Sequence, residues 1–241
     1  MNSMTKQQEQ QQHDFVAKMK KSGRKIPPEL QTYIDNVLLD GAYVLNPIFN
    51  RMGFTPNGIT TLSLISGLMC VYFYYHKQYL ASAICWMISY FFDCQDGNYA
   101  RRYNMQSKFG DYYDHIKDNL VFGIFLVLFF IDDKLGWTQK GVIIAVISTL
   151  AYLAIKHQKN VEKYVKLSKL THIMDIESLE FIYKKNENNK NNESENNESE
   201  NKTDDIKEQG KVEQNLLNNR WNGFGLLNLF IASAIAYHSF F

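Results

Sequence analysis

The amino-acid sequence predicts an all-α protein: a polytopic transmembrane helical bundle of five to six spans, with an N-terminal interfacial amphipathic helix and a disordered polar insert. Three observations carry this. Of 241 residues, 45% are hydrophobic and 14% aromatic, a composition rich for a soluble chain. The apolar residues gather in blocks close to the length of about 20 residues that a spanning helix needs, separated by short polar connections. Four aspartates, Asp93, Asp96, Asp114 and Asp118, stand at the ends of two of those blocks. An ionised carboxylate at membrane depth costs about 2.5 to 3.5 kcal/mol at a helix centre, so four together require cations, water or a cavity.

Residues 1–28 are Gln- and Lys-rich, lack an apolar core and end at Pro27-Pro28. They are expected to form a disordered tail with no cleavable signal peptide, leaving insertion to an internal helix. In residues 29–55, Leu30, Tyr33, Ile34, Val37, Leu38, Ala42 and Val44 recur near helical spacing, interrupted by Asp35 and Asp40. That pattern suits a helix lying on the membrane surface; an amphipathic helix packed on protein is the alternative. Residues 56–157 form the expected catalytic core, with spans near 58–75, 79–98, 112–131 and 140–156. Pro56 and Asn57 suit the start of the first. Short connections make successive spans antiparallel neighbours. Residues 221–241 supply a C-terminal span, and Trp137 and Trp221 fall at predicted interfaces.

Residues 158–220 are expected to be a cytoplasmic connection. Lys156, Lys159, Lys163, Lys166 and Lys169 recur at three- and four-residue steps, so the fourth span continues as a helix with a basic stripe. Anionic headgroups or plain solvent would suit that stripe. Beyond Tyr183 the Asn/Glu/Ser-rich run is predicted to be disordered. Lys and Arg dominate before the first span, whereas the next short loop carries only Lys77. The N-terminus, the four acids and the 158–220 connection are therefore expected on the cytosolic side. The sequons at Asn192, Asn197 and Asn201 should then stay unmodified.

A net charge of +1, from 26 basic and 25 acidic residues, leaves no nucleic-acid footprint. Cys70, Cys85 and Cys94 lie in apolar segments without metal or redox spacing and read as buried thiols.

The acids carry the chemistry. On a helix Asp93 and Asp96 share a face, as do Asp114 and Asp118. Gly97 and Gly110 remove side chains beside them, Ala100 keeps the next turn small, and Arg101 adds a fixed cation. Hard oxygen ligands favour magnesium, manganese or calcium. Carboxylates with no His or Cys suit two-metal phosphoryl chemistry better than zinc hydrolysis. Asp111 reads as a helix-start acid favoured by the dipole, and His115 as a packing residue.

The pattern Asp93-x-x-Asp96-Gly97-x-x-Ala100-Arg101, eight residues, Gly110-x-x-x-Asp114-x-x-x-Asp118 resembles the full signature of the class I CDP-alcohol phosphotransferases. That resemblance implies an integral membrane enzyme moving a substituted phosphate from a CDP-linked donor to an alcohol or lipid acceptor, with release of CMP. It implies two Mg2+ or Mn2+ ions held by Asp93, Asp96 and Asp114, with Asp118 as general base that also touches metal. Gly97, Ala100, Arg101 and Gly110 would line the substrate. Pro56-Asn57-x-x-Thr60 is similar to the family's opening of the first span, where Asn57 and Thr60 would hold the nucleotide. Membrane lipids are further partners, a homodimer is allowed, and the setting would be the endoplasmic reticulum or another internal membrane, active site to the cytosol.

Asp114-His115-x-x-Asp118 is similar to the choline and ethanolamine branch, which uses CDP-choline or CDP-ethanolamine, although Ile116 and Lys117 stand where small residues are usual. The other branch uses CDP-diacylglycerol with a soluble alcohol. Family members commonly have six spans, and only one apolar span follows residue 157; a short helix near 171–183 would have to substitute. Two other classes compete: a family member that has lost turnover and serves as a membrane binding or structural protein, and a divalent-cation transporter.

Overall fold

The computed structural model describes residues 21–185 and 195–240, with side chains from 21–168 and 207–239. Among the described residues there are seven α-helices and no strand. They are α1 Tyr33–Arg51, α2 Pro56–Tyr75, α3 Tyr79–Arg102, α4 Lys108–Ile131, α5 Trp137–Lys185, α6 Glu195–Asn218 and α7 Phe224–Tyr237, the last followed by a 3-10 turn, His238–Phe240. The all-α expectation holds. Two helices are long and apolar enough to cross a membrane, α2 and the Trp137–Ser168 part of α5. The other three predicted spans fall short for a visible reason. Each of the 24-residue helices α3 and α4 carries acids and bases within its own length, and α7 has 14 residues.

Helix α2 packs against both α3 and α4. Small side chains let it approach closely. Ser63 Oγ donates to the Ser89 carbonyl at 2.9 Å, Ser89 Oγ donates back to the Ser63 carbonyl at 2.8 Å, and Ser82 Oγ donates to the Cys70 carbonyl at 2.9 Å. These contacts fasten α2 to α3 along about two turns. At Gly67 an added Cβ would lie 2.9 Å from both γ-methyls of Val121, so glycine is what permits α4 to cross there. Tyr74, Trp86, Phe125, Phe129, Ile231 and Ile235 fill the core between α2, α3, α4 and α7. Trp86 Nε1 donates to Asn228 Oδ1 at 3.0 Å, joining α3 to α7. Outward faces remain apolar: Leu68 and Tyr72 on α2, Ile84 and Ile88 on α3, Val127 and Phe130 on α4, and Val142 on α5 are exposed.

The end of the bundle opposite the four acids is closed by polar contacts. Tyr79 Oη donates to Asp132 Oδ2 at 3.2 Å and Lys134 N–H to Asp132 Oδ1 at 3.0 Å. Burial pushes the Asp132 carboxyl up, but these donors outweigh it and leave the group below its ordinary value.

Three expectations are corrected or refined here. The tail predicted to be disordered through residue 28 is placed from residue 21, because Ile26 and Leu30 bury fully against Val161, Leu167, Val212 and Leu216. The polar insert is helical over Glu195–Asn218, since Val212 and Leu216, four residues apart, seat that helix on α5, and Lys163 pairs with Glu208 at 2.5 Å. Residues 186–194 of that predicted insert, with Asn192, lie outside the described residues. The fourth span does continue as a helix, reaching Lys185 without a break, so no separate helix at 171–183 exists. Helix α1 buries Leu39, Ala42 and Asn46 toward the bundle while Val37, Val44 and Ile48 stay exposed.

Candidate active site

Helix α3 carries Asp93 and Asp96 in its C-terminal half, and α4 carries Asp114 and Asp118 in its N-terminal half. A tight turn joins them, with Asn104 in the left-handed region at φ 54°. Helix α4 starts cleanly: Ser107 Oγ accepts from Gly110 N–H at 3.0 Å, satisfying one of the first-turn donors. Helix α2 starts in the same way, with Thr55 Oγ1 accepting from Gly58 N–H at 3.2 Å and Pro56 in the first helical position. The two capped starts bring Asn57 to Gly110. A Cβ at residue 110 would lie 2.9 Å from Asn57 Oδ1, so the signature glycine makes room for that amide.

Three of the four acids meet. Ligand oxygens of Asp93, Asp114 and Asp118 lie within 4.8 Å of one another, a spacing at which one cation can bridge them. The donor set fits a hard divalent ion, and Asp114 Oδ1 is buried and ion-paired with Lys117 Nζ at 3.0 Å. Asp118 is the accessible member, its side chain 56% exposed, against 25% for Asp93 and 28% for Asp114.

Asp96 stands apart from that trio. It is 7% exposed, and Thr60 Oγ1 donates to its Oδ2 at 2.6 Å. Thr60, which the sequence assigns to nucleotide contact, is buried here as the partner of an acid. Arg101 folds back over Gly97, whose missing Cβ would lie 3.2 Å from Nη1, and its Nε donates to the Gly23 carbonyl at 2.7 Å. Ala100 is half-buried on the same helix.

Two participants escape a motif reading. Lys117, one residue before Asp118, is 3% exposed and sends its ammonium among the acids. It hydrogen-bonds Asp93, and Nζ lies 2.9 Å from Asp118 Oδ1 and 3.0 Å from Asp114 Oδ1. Ser63 Oγ accepts from the same ammonium at 3.1 Å. The sequence signal for Lys117 was its size, a long cation where small residues are usual. Ser63 gave no signal, because its role comes from the α2 crossing.

The CDP-alcohol phosphatidyltransferase family profile matches residues 54–181, more than half of the chain. The chain belongs to this family. The matched stretch runs from the start of α2 through most of α5 and contains all four aspartates, both signature glycines and Arg101. Membership in the CDP-alcohol phosphatidyltransferases implies phosphatidyl transfer from a CDP-alcohol to an alcohol. Comparison with curated proteins finds no match.

Proposed function

We propose that the chain is an integral membrane enzyme of phospholipid synthesis. It transfers a substituted phosphate from a CDP-linked donor, CDP-diacylglycerol or CDP-choline or CDP-ethanolamine, to an alcohol acceptor and releases CMP. The reaction depends on Mg2+ or Mn2+. The observation that carries this reading is the convergence of Asp93, Asp114 and Asp118 from two helices. The apolar outward faces of α2, α3, α4 and α5 support burial of the bundle in lipid, since a protein in water rarely exposes so much apolar surface.

Asp93, Asp96, Asp114 and Asp118 would hold the two metal ions that the family's pattern implies, the trio of Asp93, Asp114 and Asp118 converging most closely. A bound divalent ion supplies positive charge against the diphosphate and the oxygen that departs with CMP. Asp118 is the reachable carboxylate and serves as base. The acceptor oxygen bonds to the phosphorus that bears the donor's alcohol, and its proton passes to Asp118. The bond from that phosphorus to the bridging oxygen breaks, and its electron pair leaves with CMP. Thr60 fixes the carboxylate of Asp96, and Asn57 over Gly110 orients the opening between α2 and α4. Arg101 brings a guanidinium suited to a phosphate oxygen. The acids sit at one end of α3 and α4, the position a headgroup reaches from lipid while a soluble partner arrives from water.

The test is CMP release by the purified protein offered each of the three donors with several acceptors. CMP should appear with one donor class, only with Mg2+ or Mn2+, and Asp118→Asn should lower the rate about 10^2- to 10^4-fold, the usual worth of a general base. Undiminished turnover in Asp118→Asn would remove Asp118 from that role. Absence of CMP from every donor would favour the member without turnover.

A further inference from the structure

The ammonium of Lys117 occupies the middle of the carboxylate trio. Its stem is buried, and Nζ meets Asp93, Asp114, Asp118 and Ser63 at hydrogen-bond or ion-pair distance. Three of those partners are acids from two helices, and they are the group of acids whose spacing suits a cation. The fourth, Ser63, belongs to the α2–α3 seam and accepts one of the ammonium hydrogens. Lys117 therefore has a built seat with contributions from three helices.

A seat of this kind excludes a second occupant. An ammonium nitrogen at about 3 Å from carboxylate oxygens fills the volume in which Mg2+, at about 2.0 to 2.1 Å from its ligands, would sit, and the two cations repel. A small residue at position 117 would leave that volume open. Asp96, which stands outside the trio, would hold the remaining ion with Asp93 and Asp114.

We propose that Lys117 replaces one of the paired divalent ions, so that this chain binds a single Mg2+ or Mn2+ beside a permanent ammonium. The inference rests on the metal-site reading above and changes its ion count from two to one. Lys117 thereby acts as a positioning residue, holding Asp93 and Asp118 toward each other in the absence of a second ion.

The experiment counts manganese bound per chain, by electron paramagnetic resonance of free Mn2+ during titration of full-length protein in detergent. Wild type should bind one ion. Lys117→Ala and Lys117→Ser should each bind two, with the exchange-broadened spectrum of a coupled pair. Two ions on wild type, or one on well-folded small-residue variants, would overturn the replacement and leave the metal site standing. No binding by wild type would overturn both. Should the variants fail to fold, the wild-type count alone still decides.

Discussion

Replacing Gly67 by alanine should force α2 and α4 apart where they cross most closely. The new Cβ would lie 2.9 Å from both Val121 γ-methyls and 3.2 Å from Ser89 Oγ. Carbon atoms settle at about 3.5 to 4.0 Å, so relief requires a shift of about 0.6 to 1.1 Å. Val121 is buried and β-branched and cannot turn aside, and Ser89 is fixed by its bonds to Ser63. Overpacking of this kind costs about 1 to 3 kcal/mol. Val121→Ala alone removes two buried methyl groups, at about 0.5 to 1.5 kcal/mol each. In the double variant the new methyl enters the space vacated by the valine, so the pair should be less destabilising than the sum, with a coupling of about 0.5 to 3 kcal/mol. Denaturant or thermal unfolding of the four proteins in detergent measures this directly. CMP release supplies a second readout, since Gly67 is one turn from Ser63, which receives Lys117: it should fall in Gly67→Ala and recover in the double variant. Additivity within about 0.5 kcal/mol would mean that the two helices do not meet at Gly67, and the packing that positions the site would be wrong.

Other expected outcomes follow from single contacts. Thr60→Val removes the donor to buried Asp96 and should cost about 1.5 to 3 kcal/mol in unfolding experiments, the worth of a hydrogen bond to a charged group; no loss would mean that Asp96 finds another partner. Leu216→Ala deletes a fully buried side chain under α6 and should destabilise by about 2 to 5 kcal/mol and open the Glu195–Asn218 segment to protease; unchanged cleavage would deny that α6 is seated on α5. Expressed in a glycosylating cell, the protein should show no glycan-dependent mass at Asn192, Asn197 or Asn201. A mass loss on glycosidase treatment would invert the assigned orientation.

The site was legible because its residues obey fixed local spacing. Asp93 and Asp96, and Asp114 and Asp118, share helix faces by chain geometry alone, and the glycines between them mark where another group approaches. The helix start at Pro56 likewise follows from residue type. What the sequence concealed depends on partners far along the chain. Ile26 looks like an isolated apolar residue in a polar tail until Val212 and Leu216 arrive from nearly two hundred residues away. The Asn/Glu-rich run reads as unable to bury anything, yet two apolar residues four apart suffice to dock its C-terminal half on α5. The contacts of Thr60 and Lys117 were hidden for a related reason: a motif assigns side chains to a substrate, whereas here both also turn toward acids of the chain itself.

Arg101 is fastened at its Nε by the carbonyl of Gly23, a backbone atom at a residue with φ +68° whose Cβ, if present, would strike the Asn98 carbonyl. Removing the side chains on either side of Gly23 leaves that acceptor in place, so alanine scanning of the flanking positions would pass over this grip on the signature arginine. Any bulkier residue at position 23, alanine included, would instead push residues 21–26 off α3, and a defect in catalysis would surface from a place that holds no catalytic group.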